Sequence, residues 1–157
     1  MEHLITCTFA GHRDVFQSNI PEKLDEAISK IIASGDDAFT FLVGNMGEFD
    51  SMCSSAVRKA KKKFSDKHIS LELVLPYFSQ ELNTNKEHYN QSFDDIVIPA
   101  ELAGVHYKAA ITKRNQWMVE QSDYLVAYVY RDYGSAYATL RYAEKKETQV
   151  INLAEKS

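Results

Sequence analysis

The sequence predicts an α/β fold, a three-layer α/β/α sandwich around a mostly parallel sheet of about five to six strands. Three observations predict it. Short apolar runs rich in β-branched and aromatic residues alternate with segments of helical period, strand, helix, strand, helix, strand through the first half. Glycine-bearing turns follow several of these runs directly. Residues 123–143 (DYLVAYVYRDYGSAYATLRYA) then join a buried strand at 125–129, a loop ending in Gly134-Ser135, and a helix that starts at once.

In chain order, residues 4–9 (LITCTF) read as the first strand, ahead of Gly11-His12-Arg13. Over 21–34 the period turns helical. Pro21 suits a first turn, Glu22, Asp25 and Glu26 favour its positive end, and Leu24, Ala27, Ile28, Ile31 and Ile32 form one apolar stripe. Gly35 fits the C-terminus. The second strand, 39–43 (FTFLV), runs into the Gly44 to Asp50 turn and a helix with Cys53, Ala56, Val57, Ala60 and Phe64 on its buried side. Its basic end (Arg58, Lys59, Lys61, Lys62, Lys63, Lys67) reads as a solvated face that complements the helix dipole rather than as a nucleic-acid patch.

The third strand is 69–75, stopped by Pro76. Residues 77–92 are polar and without clear period, the kind of excursion that often serves as a lid or site wall. A short strand is expected at 95–99, a helix at 107–120 and a last strand at 149–153, with the final four residues frayed. On the 107–120 helix the apolar side is Tyr107, Ala110, Ile111 and Met118, and Arg114 and Asn115 fall among them. Such groups need partners: either a carboxylate such as Asp123, or a ligand.

At 157 residues the chain is read as one domain, 1–157. A net charge of −4 argues against a general nucleic-acid binder, so nucleic acid is not expected as a partner. Cys7 and Cys53 lack any CxxC spacing or paired His and read as buried thiols; no metal or cofactor is expected. Nothing at the N-terminus resembles a signal peptide, and no run approaches the ~20 apolar residues of a membrane span. The chain is therefore expected to be cytoplasmic, without a membrane partner.

Three loops follow apolar strands: Gly11-His12-Arg13, the turn bearing Gly44, Asn45, Gly47 and Asp50, and the turn at Tyr133, Gly134 and Ser135. In a parallel sheet all three lie at the carboxyl edge and can meet around one crevice. None is a GxGxxG fingerprint or a P-loop. With an Arg on the first, they suggest a phosphate-bearing ligand, because the guanidinium fork binds phosphate oxygens bidentately. His12 reads as an acid–base or ligand group, or as a loop residue held by backbone hydrogen bonds. Asp50 either meets a ribose hydroxyl or caps the second helix with Ser51. Trp117, Tyr77, Tyr89 and Tyr133 would stack on a base or belong to the core.

These residues carry a resemblance. The chain is similar to the SLOG superfamily, in its YpsA-like branch. The matching parts are residues 8–13 (TFAGHR), then Gly44, Gly47, Phe49 and Asp50, then Arg114, Asn115, Met118 and Val119, residues 122–128, and Gly134, Ser135, Thr139 and Ala143. The resemblance implies a Rossmann-like domain that binds nucleotides or nucleotide-derived ligands. Phosphoribohydrolases, nucleoside deoxyribosyltransferases and nucleotide sensors belong to the wider superfamily and similar folds. Homo-oligomers are common among such relatives, and many tyrosines would suit an interface.

The glycosidic-bond enzymes carry a carboxylate one turn into the helix after the glycine turn, to stabilise or attack the ribose carbon. Here that position holds Ala138 or Thr139, depending on the alignment. The expected function is therefore binding of a nucleotide-derived small molecule. Its phosphate would lie on the Gly134 turn with Arg13 and Arg114. An N-glycosidic-bond enzyme using Asp50, Glu48 or His12 is the alternative, and a structural or partner-binding protein the third reading.

Overall fold

The computed structural model describes residues 4–34 and 37–155. Six strands form one sheet: β1 (Leu4–Gly11), β2 (Ala38–Val43), β3 (His68–Val74), β4 (Asp95–Val97), β5 (Tyr124–Tyr128) and β6 (Gln149–Asn152). They lie in the order β4-β3-β2-β1-β5-β6, and every neighbouring pair is parallel. The helices are α1 (Ile20–Ser34), α2 (Glu48–Lys63), α3 (Gln80–Thr84), α4 (Lys86–Ser92), α5 (Tyr107–Glu120) and α6 (Ser135–Lys145). The Rossmann-like three-layer architecture expected from the sequence is present.

The period-two alternation of β1 decides the layers. Ile5, Cys7 and Phe9 join the core that includes α1 and α2, whereas Ala10, on the opposite face, joins Val119 of α5 and Ala136 and Ala143 of α6. The β2 strand divides likewise, with Phe39, Phe41 and Val43 on the first side and Leu42 against Met118 on the second. Apolar residues on both faces are what a central parallel strand requires. The α1 stripe read from the sequence is buried in full, and Ile20 extends it by one turn. Both cysteines are free and buried, and burial pushes both thiols up.

Some expectations fail for identifiable reasons. Residues 77–92 are not aperiodic: they fold into α3 and α4, whose Tyr89 is buried and, with Leu82, packs on the core beside β3 and β4. Helices this short leave too few turns for a stripe to show. Tyr107 does not join the buried side of α5; it opens the helix at 63% exposure. Arg114 has no contact with Asp123, whose Oδ2 accepts the Thr6 N–H at 2.9 Å instead. Gly35 lies outside the described residues. Among those described, no helix is long and apolar enough to cross a membrane.

Topology positions the site. From β1 the chain winds outward through β2, β3 and β4, then crosses back to place β5 on the other flank of β1. Helices therefore leave β1 and β5 on opposite faces, and a crevice opens beyond their carboxyl ends.

Candidate nucleic-acid interface

A crevice of about 320 Å³ lies at that edge. The three predicted loops meet there. Gly11 ends β1 and Arg13 follows it, Gly44 and Met46 lie in the turn after β2 with Asp50 in the first turn of α2, and Ser135, Ala136 and Thr139 come from the start of α6. Helix α5 forms the remaining wall through Lys108, Ile111, Thr112, Arg114, Asn115 and Met118.

The β1 loop is fastened to α2 before any ligand arrives. The Glu48 N–H donates to the Arg13 carbonyl at 2.8 Å. Gly47 stands at φ 100°, and a Cβ there would come within 2.8 Å of the Arg13 Cα. Only glycine combines that dihedral with that approach. Gly44 allows a second close approach, because a Cβ on it would stand 3.1 Å from Asp50 Oδ2 and 3.2 Å from Arg114 Nη1. Asp50 and Arg114 thus close over a bare Cα at the floor.

Asp50 is not the N-cap; Gly47 is, and it makes no side-chain cap bond. From the first turn of α2, Asp50 Oδ2 reaches back to accept the Met46 N–H at 3.0 Å, much as the acidic member of a capping box does. Burial pushes its carboxyl up to about 6, against the opposing pull of the Met46 N–H and then of Arg114 and Arg13. Arg114 is 3% exposed. Its Nη1 donates to the Val74 carbonyl at 2.8 Å, its Nε to Asn115 Oδ1 at 2.9 Å, and its Nη2 lies 3.3 Å from the Met46 sulfur. Burial lowers its pKa, and Asp50 and Tyr77 offset part of that. No carboxylate lies within 4.0 Å of Arg13, Lys108 or Arg114 among the described residues. The wall therefore carries three cations against the single carboxylate of Asp50.

Ser135 and Thr139 both line the crevice while Ala138 is exposed, so Thr139 faces the ligand space. Its hydroxyl is engaged, donating to the Ser135 carbonyl at 2.8 Å. The other predicted residues fall elsewhere. Gly134 at φ 94° caps α6 from outside the lining, and the side chain of Asn45 meets the Tyr89 hydroxyl. Trp117 donates to Glu101 at 2.7 Å and packs with Met118. His12 is 4% exposed and turns away from the crevice. Its Nε2 accepts the Tyr130 and Arg131 N–H groups at 3.2 and 3.4 Å, so Nε2 is unprotonated. Burial, and then Arg131, lowers the His12 pKa in keeping with a neutral ring.

No protein-family model matches the chain, and no curated protein matches it. Solved structures do. One is DNA processing protein A from Helicobacter pylori, described for its single-stranded DNA binding mode. It is 12% identical at a TM-score of 0.62, over 98% of this chain and 68% of that one. DNA processing protein A from Streptococcus pneumoniae is 11% identical at a TM-score of 0.64, over 94% of this chain; the present chain spans 49% of its length. What the likeness shows is the fold.

Two expectations from the sequence are corrected by this finding. The Helicobacter pylori protein of this fold is described for binding single-stranded DNA, so neither the expectation of a small nucleotide-derived ligand nor the exclusion of nucleic acid is upheld. The physical reason lies in averaging. A net charge of −4 describes the whole chain, whereas the crevice collects cations from positions 13, 108 and 114. Lys108 was missed by sequence reasoning, although a signal for it existed. Lys108, Ile111, Thr112 and Asn115 stand at i, i+3, i+4 and i+7, so extending the Arg114-Asn115 face back along α5 reaches it.

Proposed function

We propose that this chain binds single-stranded nucleic acid, with the sugar–phosphate backbone crossing the crevice beyond β1 and β5. The observation that carries the reading is the gathering of three cations against one carboxylate, Asp50, at one sheet edge of an otherwise acidic chain. Asp50 offsets only part of what burial costs the Arg114 charge, and phosphate oxygens match a guanidinium fork. The Ser135 and Ala136 N–H groups at the start of α6 add the positive end of a helix dipole. The single-stranded DNA binding described for the Helicobacter pylori protein of the same fold supports the same class of ligand. On this reading the contacts come from Gly11, Arg13, Gly44, Arg114, Asn115, Ser135 and Thr139, with Lys108 added. Residues 1–157 then act as one SLOG-like domain, and the Gly-His-Arg and Arg-Asn elements support its YpsA-like branch.

The test is fluorescence anisotropy with a labelled oligothymidylate of about 16 nucleotides. Raising salt from about 50 to about 200 mM should weaken binding by about an order of magnitude, since each neutralised phosphate contributes about −0.7 to the log–log slope. Arg13→Ala and Lys108→Ala should each remove about 0.7 from that slope. No binding at the lower salt, or an unchanged slope in the double variant, would refute the proposal.

A further inference from the structure

We propose a second subsite, resting on the reading above: a platform built by Phe16, Tyr130, Arg131 and Tyr133 on which two unpaired nucleobases of the same strand stack. The loops after β1 and β5 each serve two sides. Gly11, Arg13 and Ser135 line the crevice, while His12, Phe16, Tyr130, Arg131 and Tyr133 stand outside its lining on the same two loops. The loops that bring Gly11, Arg13 and Ser135 to the crevice thus also carry these rings.

The platform is pinned from behind. His12 Nε2 accepts two consecutive N–H groups, those of Tyr130 and Arg131, while the His12 N–H donates to the Tyr128 carbonyl at 3.3 Å. The His12 ring meets Tyr130 edge-on, with centroids 4.4 Å apart. The Phe16 N–H donates to the Tyr128 hydroxyl at 3.2 Å, and the Phe16 ring stands 6.0 Å from Tyr130. The Arg131 guanidinium lies over two rings, 5.2 Å from the Tyr130 centroid and 5.1 Å from the Tyr133 centroid.

Yet the rings face water, with Phe16 75% exposed and Tyr133 62%. Exposed aromatic rings clustered together mark an interaction site. A cation interleaved with aromatic rings, and continuity with a cationic crevice, suit a nucleic-acid strand: bases stack on the rings and the cation meets a phosphate. No carboxylate stands within 4.0 Å of Arg131 among the described residues, so its charge is free for that contact. Phe16 and Tyr133 offer the two outer faces, and Tyr130 with Arg131 supports them from between.

The experiment compares oligothymidylate with an abasic oligomer of equal length and charge, in wild type and in a Phe16→Ala/Tyr133→Ala variant whose melting temperature is checked. Each stacked base is expected to raise affinity between about fivefold and about 100-fold. With two stacked bases, wild type should therefore prefer the thymidylate by at least about 25-fold. The variant should bind both oligomers with the wild-type affinity for the abasic one. Equal wild-type binding of both oligomers overturns the platform and leaves the crevice reading standing. So does a variant that loses affinity for both in equal measure. A variant that keeps the preference but loses self-association in sedimentation gives the patch to a second copy of the chain, which also overturns it. If neither oligomer binds, the crevice reading fails and the platform falls with it.

Discussion

Two basic regions of this molecule differ in a way that the count of charges conceals. The C-terminal half of α2 is a dense run, and nearly every member has a partner. Arg58 donates through Nε and Nη2 to the Ser92 carbonyl, Lys59 meets Asp25 at 2.8 Å, and Lys61 meets Asp94 at 2.7 Å. Lys63 reaches Ser29 at 3.4 Å, and Lys67 reaches Asp37 at 3.8 Å. The crevice is sparse in sequence and its cations lack paired carboxylates. The run fastens α2 to α1 and to the segments around β4, whereas Arg13 and Lys108 in the crevice have no carboxylate within 4.0 Å among the described residues. On the proposed reading, the lysines held by carboxylates are structural and the cations without one nearby meet the ligand.

The largest expected effect falls on Arg114. Arg114→Ala orphans the buried Val74 carbonyl and removes the cation at the floor, so both stability and binding should fall. The cost is about 1–3 kcal/mol in chemical denaturation. Binding of oligothymidylate should weaken at least about tenfold. Unchanged binding in a folded Arg114→Ala protein would erase the distinction between the two regions.

Asp50 sharpens the comparison through pH. Its carboxyl is raised in the fold to about 6 from 3.8, so its contribution to stability is fully present below 3.8 and is lost as pH rises through about 6. In Asp50→Asn that loss disappears, and the amide oxygen still accepts the Met46 N–H. The stability of the variant relative to wild type should therefore rise between about pH 4 and about pH 6 and then level off, by at most about 3 kcal/mol. Denaturation at several pH values reads it. A flat difference would mean that Asp50 is not buried beside its cations as described. Removing this carboxylate should also strengthen binding above pH 6, since the wall then holds three cations alone.

The smallest effect is expected in the dense run. Lys61→Ala gives up one half-exposed pair with Asp94, which still accepts the Leu71 N–H. Stability should drop by less than about 1 kcal/mol and oligothymidylate affinity should not move. A clear loss of affinity there would make α2 part of the interface.

The predicted elements match the structure wherever period was long enough to read. The apolar stripe of α1 and the bounds of α5 are visible at 3.6-residue spacing, and the central strands are short runs dominated by β-branched and aromatic residues. The two failures share a cause. The α3–α4 segment has helices too short to show a period, and Tyr107 sits in the first turn of α5, where the apolar stripe has not yet met the sheet. At the site, the glycine turns and the Arg114-Asn115 pair were legible because unusual residues stood in apolar contexts. Asn45 and His12 were not assignable, since their hydrogen-bond partners lie far along the chain, at Tyr89 and at Tyr130 and Arg131.

By itself the sequence determined that strands and helices alternate, which residues face inward, and that three loops end at one sheet edge. Alternation and helical period are local properties, so neighbouring residues suffice to read them. The tertiary structure alone decided which cations gather and which are spent on carboxylates. It also turned His12 away from the crevice and left Phe16 and Tyr133 open to water on the same two loops. Those outcomes depend on contacts between positions more than a hundred residues apart, such as His12 with Tyr130, separated by 118 residues. No local pattern in a chain encodes such a pair; the crossover that seats β5 beside β1 does.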